Sequence, residues 1–180
     1  LAADPSLKVL LLEAGPSDGS LKIKVPLGYG SLFYDQKFNW KYETEPEPEL
    51  KGRRMYWPRG KVLGGSSAIN AMVYVRGHPN DYEEWADVAP SWNWSNVEPY
   101  FKKIESWKGE DSPVRGKSGP VGVSNVENDV HPLTANYLEA GQELGFPYNR
   151  DYNGNHMEGV AVYQTTTFNG LRVSSASAYI

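Results

Sequence analysis

Two adjacent glycines, Gly64 and Gly65, constrain this chain more than any other feature. They lie within residues 56–77, YWPRGKVLGGSSAINAMVYVRG. Paired glycines lack Cβ atoms, so the backbone there adopts positive φ and lets another group approach closely. Ser66 and Ser67 follow, each a candidate N-cap for a helix opening at Ala68-Ile69-Asn70-Ala71-Met72-Val73. A helix start offers free N–H groups and a partial positive charge, suited to a phosphate or an electron-rich ring edge. Arg59 and Lys61 add cationic donors just upstream. The competing reading is an ordinary glycine turn capping an ordinary helix.

Composition removes several function classes. With 39% hydrophobic residues, six Trp and twelve Tyr, the chain is that of a packed protein. Its 180 residues fit one domain of ordinary size. A net charge of −4 without a basic stripe argues against nucleic acid as a partner. The absence of cysteine excludes disulfides, thiol catalysis and cysteine-bound metal. No apolar run reaches the ~20 residues of a transmembrane segment. The three histidines, His78, His131 and His156, lack metal-ligand spacing, and His78 reads as a surface loop residue. A G-x-S-x-G elbow, a P-loop and a paired-carboxylate motif are all missing.

Taken in order, residues 1–5 read as a helix end stopped by Pro5. Residues 8–13 read as a strand buried on both faces, because Val9-Leu10-Leu11-Leu12 is continuously apolar. Its end, Glu13-Ala14-Gly15, places an acid where a Rossmann-type second strand holds a ribose hydroxyl. Residues 16–49 are loop-rich, with a short extended piece at 38–42. A helix is expected over 80–88, capped by Asn80 or Asp81. Another is expected within 91–106, with Ser95 and Glu98 as a capping box and Val97, Tyr100, Phe101 and Ile104 as its stripe. Residues 108–120 read as loop, 120–123 as strand, 131–144 as helix and 148–159 as a turn-rich loop. Residues 160–168 alternate like a half-buried strand, and Asn169-Gly170 signals a hairpin. Asn93-Trp94-Ser95 matches a glycosylation sequon and is taken as chance.

Gly60-Lys61-Val62-Leu63-Gly64-Gly65-Ser66-Ser67-Ala68-Ile69-Asn70, with Tyr74 and Gly77, resembles the first signature of the glucose–methanol–choline (GMC) flavoprotein oxidoreductases. The likeness extends to VLLLEAG at 9–15, to Asn39, Trp40, Tyr42, Thr44 and Pro46, and to the R-x-S-S-A-x-A-Y run ending at Tyr179. It implies an α/β fold, α+β in parts. Residues 1–118 would be a partial Rossmann-like FAD-binding domain carrying the flavin lid and the signature. Residues 119–180 would begin a substrate-binding domain with an antiparallel sheet. The glycine fingerprint that precedes an acid like Glu13 would fall before Leu1, so the chain reads as a fragment.

The resemblance implies FAD as cofactor, with Glu13 on the adenosine ribose beside Ala14. Gly65, Ser66, Asn70, Ala71, Met72 and Val73 would lie along the flavin, with Arg59 and Val62 close by. Some members attach FAD through a histidine just before the conserved asparagine. Ile69 occupies that position, so FAD is expected to be non-covalent. The implied reaction takes an alcohol to an aldehyde or ketone by hydride transfer to flavin N5, chemistry that belongs to the cofactor. Oxygen or a quinone-type acceptor would take the electrons. The family's catalytic histidine would lie beyond Ile180, so no catalytic residue and no metal ligand is expected here. A lyase of the same fold, of hydroxynitrile-lyase or fatty-acid-photodecarboxylase type, and a non-catalytic FAD-binding relic are the alternatives. The cytoplasm or a membrane periphery is the expected location.

Overall fold

The computed structural model describes residues 4–180, and these separate into two compact units, Leu1–Ala71 and Met72–Ile180. The division cuts the signature between Ala71 and Met72. The boundary expected at 118/119 falls inside the second unit, where strands pair across it. Residues 1–3 of the expected helix end lie outside the described residues.

The first unit opens with two single-turn helices, α1 (Leu21–Lys24) and α2 (Tyr29–Leu32). A hairpin follows, its strands β1 (Tyr42–Glu43) and β2 (Tyr56–Trp57) pairing antiparallel with Tyr42 opposite Trp57. The Asn39–Gly60 bridge keeps the same register, so the extended piece expected at 38–42 is one arm of this hairpin. The core is hydrocarbon: Ile23, Leu32, Phe38, Val62, Ala68 and Ile69 form one buried cluster. At about 25 cal/mol per Å² of apolar surface removed from water, such a cluster is the main source of this unit's stability.

The strand expected at 8–13 does not form: these residues pair with no described strand. Leu10 and Leu12 are more than four-fifths exposed. A run this apolar is strand-forming only when sheets or helices cover both its faces, and nothing among the described residues does so.

The second unit begins with α3 (Pro79–Ala86) and α4 (Trp94–Ile104). Both caps differ from expectation. His78 caps α3, its Nδ1 accepting from the Asn80 amide while the Asp81 carboxylate accepts from the His78 amide. Pro79 at the first helical position suits this arrangement, since its missing N–H would be unsatisfied there anyway. Asn93, not Ser95, caps α4, and Ser95 Oγ donates to the Asn93 side chain.

Strands β3 (Glu105–Trp107) and β4 (Val121–Asn125) pair in parallel. After α5 (Leu133–Glu143), β5 (Gln164–Thr165) pairs antiparallel with β4, giving the order β3-β4-β5. The expected long strand over 160–168 is broken by a bend at Thr166 into β5 and β6 (Thr167–Phe168). The bend shifts the buried parity, so Gln164 and Thr167 are both inside. At the bend the Thr166 amide donates to Met72 O at 2.7 Å, which with the Tyr74 amide on Gln164 O forms the antiparallel Val73–Thr165 bridge. Asn169 and Gly170 both have positive φ, 49° and 75°, and close the hairpin to β7 (Leu171–Arg172). This is the backbone an Asn-Gly loop favours. Helix α6 (Ser175–Tyr179), capped by Ser174, ends the chain. No helix among the described residues is long and apolar enough to cross a membrane.

Candidate functional site

In the first unit the acid-bearing loop docks on the signature by direct backbone contact. The Leu63 amide donates to Pro16 O at 2.9 Å. A Cβ built on Gly15 would stand 1.9 Å from Lys61 O, so only glycine lets the two loops meet. Gly60 serves likewise within the signature, where a Cβ would lie 2.2 Å from Gly65 O. The Gly60 amide donates to Ser66 Oγ at 3.1 Å. These contacts bring Glu13, Ala14 and the signature, distant in sequence, into one local assembly.

The helix expected after the glycines is only a single 3₁₀ turn, Gly65–Ala68. Gly64 precedes it with φ 91° and no side-chain cap. Ser67 does not cap; its Oγ donates back to Gly64 O at 2.6 Å. The run ends at Ile69, at φ −125° and ψ −7°, and Met72 beyond it sits in the left-handed region at φ 64°, which no right-handed helix contains. The cradle is therefore built from irregular backbone, and the helix-dipole argument has no helix to rest on.

The turn has two distinct sides. Val62, Ala68 and Ile69 point into the hydrocarbon core, with Val62 and Ala68 fully buried. Ser66, Asn70 and Ala71 are exposed, and a Cβ built on Gly65 meets nothing within 4 Å. Glu13 is exposed, with Oε1 accepting from the Gly15 amide at 2.8 Å. That bond orients the carboxylate and leaves it further acceptor capacity. Arg59 is exposed, its guanidinium over the Trp57 ring at 5.1 Å and its Nη1 donating to Pro58 O. Lys61 lies over Trp40 at 4.8 Å, and Trp40 stacks on Tyr42. Of the residues expected at the cofactor, Val62 alone in this unit turns its side chain wholly into the core.

Met72 and Val73 belong to the second unit. Met72 is buried and its carbonyl accepts from Thr166, while Val73 is exposed and bridged to Thr165. Sequence reasoning missed the buried polar cluster that surrounds residues 72–76. Glu105 is fully buried, with Arg76 Nη2 at 2.5 Å and Arg115 Nη2 at 2.6 Å. Arg115 also reaches Asp151 Oδ1 at 2.5 Å and stacks on Trp107 at 3.9 Å. Burial, and then the Glu105 charge, raise the Tyr74 phenol above its ordinary pKa. No spacing rule joins residues 76, 105, 115 and 151. The only sequence hint is an apolar β-run interrupted by glutamine at 164. His78, read as a surface loop residue, is the α3 cap and pairs with Glu158 at 3.3 Å.

A mixed α/β chain with a glycine-rich turn laid over a core and an acid-bearing loop docked beside it has a layout suited to a nucleotide cofactor. The comparisons narrow this class: residues 11–180 match the GMC oxidoreductase family model, and the chain belongs to that family. It is 44% identical over 182 residues to alcohol dehydrogenase (acceptor) of Pseudomonas putida, covering all of this chain and 33% of that protein. It is 44% identical over 188 residues to human mitochondrial choline dehydrogenase, covering all of this chain and 32% of that protein. Pyridoxine 4-oxidase from Mesorbium loti superposes with a TM-score of 0.93 at 35% identity, covering 99% of this chain and 35% of that one. The chain thus spans about a third of the length of the relatives it matches.

Proposed function

We propose that this chain is the FAD-holding portion of an alcohol-oxidising flavoenzyme. The observation that carries the reading is the two-sided signature turn, with hydrocarbon core beneath and the exposed edge of Gly65, Ser66, Asn70 and Ala71 above. This edge suits a flat, polar-rimmed ring: Gly65 presents bare backbone, and Ser66, whose oxygen already accepts from Gly60, keeps its hydroxyl hydrogen for donation. Glu13, oriented by Gly15, is the acceptor for the ribose hydroxyls, with Ala14 beside it. Arg59 supplies positive charge near the same loop. Met72 and Val73 continue the contact along the ring on the strength of the family signature.

FAD, when bound, supplies the two-electron acceptor for the conversion of an alcohol to an aldehyde or ketone. The chain's own residues bind and orient it, and none of them is assigned the proton abstraction. Attachment is non-covalent: Ile69, in the position some members fill with a linking histidine, is only 2% exposed and belongs to the core, and the chain has no cysteine. The relatives named for choline and alcohol make short-chain primary alcohols and choline the first substrates to test, with oxygen and a quinone-type acceptor in parallel.

The decisive experiment is the visible spectrum of the purified protein carrying this chain, followed by acid precipitation. A flavin spectrum, with all colour released to the supernatant, is the expected result. Colourless protein from FAD-replete cells overturns the cofactor assignment, and flavin retained in the pellet overturns non-covalent binding. Glu13→Ala is expected to weaken FAD binding by about 1–3 kcal/mol, the cost of leaving hydrogen-bond partners unpaired. Its melting temperature without flavin is expected to match that of the parent.

A further inference from the structure

The buried charges of the second unit surround one short extended segment, residues 72–76, whose backbone is held by hydrogen bonds at Met72, Tyr74 and Arg76. Met72 O accepts from the Thr166 amide, and the Tyr74 amide donates to Gln164 O at 2.9 Å. Tyr74 O accepts from Tyr152 Oη at 2.8 Å and from Asn153 Nδ2 at 3.0 Å. The Arg76 amide donates to Asn153 Oδ1 at 2.8 Å, and Arg76 O accepts from Tyr82 Oη at 2.5 Å. Asn153 bonds this segment twice, taking one backbone hydrogen bond and giving another.

Donor and acceptor chemistry settles which way Asn153 faces. Arg115 can only donate, and Glu105 holds it through both carboxylate oxygens. Arg115 Nη1 lies 3.0 Å from the Gln164 side chain, which must therefore present Oε1 to it. Gln164 Nε2 then faces Asp151 Oδ1 at 2.8 Å, an acceptor. Because Gln164 Oε1 also faces Asn153 at 2.8 Å, Asn153 must offer Nδ2 there, which turns Oδ1 toward the Arg76 amide. Polarity is thus handed from Glu105 through Arg115 and Gln164 to Asn153 and residues 72–76. Arg76, at the end of that segment, returns to Glu105 and closes the ring.

Stability alone does not account for such a ring. Well-packed apolar residues in place of a buried ion cluster are often neutral or stabilising. What the ring provides, and an apolar core does not, is direction and register for one stretch of backbone. That stretch begins with Met72, held at φ 64°, and with exposed Val73.

We propose that Asn153, oriented by the Glu105–Arg115–Gln164 relay, is a positioning residue that sets the register of residues 72–76 and so holds Met72 and Val73 against the cofactor. The proposal rests on the assignment of Met72 and Val73 to the flavin edge. The test uses the holoprotein carrying this chain and two variants, Asn153→Ala and Asp151→Asn. The second is isosteric and removes the charge at Asp151, whose Oδ1 accepts from Arg115 Nη1, Gln164 Nε2 and the Asn153 amide. Three quantities are read: the flavin dissociation constant, the shape of the flavin visible band, and the melting temperature without flavin.

Asn153→Ala is expected to raise the dissociation constant about tenfold, the equivalent of one net hydrogen bond, and to change the band shape. Asp151→Asn is expected to do both to a smaller degree, about threefold in the constant. A fall in melting temperature with an unchanged constant and band shape would make Asn153 a scaffold residue only and overturn the proposal. If Asn153→Ala does not fold, Asp151→Asn decides alone, and unchanged flavin binding and spectrum in it are equally fatal. Failure of the flavin assignment itself shows in the parent, as colourless protein, before any variant is made.

Discussion

The two units solve the same problem with opposite chemistry. The first buries hydrocarbon, and among its described residues Asn39 is the only polar side chain in the buried class. The second buries Arg76, Glu105, Arg115, Asn153 and Gln164 among only a few apolar side chains such as Trp107 and Val123. A hydrocarbon core is non-directional and tolerates repacking, so its role is to carry an outward-facing turn. A polar core is directional and intolerant, so it specifies one arrangement of the backbone it encloses. The signature uses both: residues up to Ala71 rest on the first kind of interior, and those from Met72 are held by the second.

Breaking the polar core at its centre is expected to have the largest effect. Glu105→Ala leaves two buried guanidinium groups without their shared carboxylate and is expected to cost about 3–5 kcal/mol. Denaturant unfolding of the holoprotein measures it, and a loss under about 1 kcal/mol would show that water or another acid reaches the arginines. Leu32→Ala probes the other interior. Leu32 is fully buried, and the cavity is expected to cost about 3 kcal/mol. The comparison sharpens in the flavin spectrum: Leu32→Ala is expected to leave the band shape unchanged, because a hydrocarbon core relaxes around a cavity without reorienting hydrogen bonds.

Gly15→Ala tests the contact that brings the acid-bearing loop to the signature. The added methyl meets Lys61 O, and the loops must separate at an expected cost of about 1–3 kcal/mol. Flavin affinity is expected to fall with it, since Glu13 moves with the loop. Unchanged affinity would detach Glu13 from the site.

The smallest effect concerns pH. Burial first, and then the hydrogen bond to Glu127, push the Tyr148 phenol up to about 12. A raised folded-state pKa contributes stability in full below the unfolded value, near 10, and loses it as pH rises from there through about 12. A difference titration of tyrosinate absorbance between the parent and Tyr148→Phe is expected to have its midpoint near 12. A midpoint near 10 would show that the Glu127 contact does not persist in solution.

Much of this molecule was legible because it depends on neighbours in sequence. The Asn169-Gly170 hairpin, the helices near 80–88, 91–106 and 131–144, and the glycine turn at 64–65 all follow from local backbone preference. The signature is a run of residues whose types and spacing are themselves the message, so the family and the cofactor reading come from it directly. Local rules failed by small margins at the caps. His78 and Asn93 outcompeted the expected residues because a cap is chosen by which acceptor reaches the free amides, and several polar residues stood close together at each helix start.

What tertiary structure alone decided is more instructive. The apolar run at 8–13 has strand composition, but strand formation requires neighbours, and a sequence does not say which neighbours are present. The helix expected after Ser67 stops at Ile69, and Met72, at positive φ, gives its carbonyl to Thr166, a residue 94 positions away. The strand over 160–168 is broken at Thr166, where the chain also bridges to Val73. The polar ring is the extreme case: its members run from Arg76 to Gln164, each reads as an ordinary surface charge or amide, and only their convergence makes them interior. Hydrophobic periodicity predicts which hydrocarbon turns inward, because burial of apolar surface is additive and local in pattern. Buried charge follows no such pattern, because its burial is tolerated only when every partner arrives together, and that is a property of the folded chain.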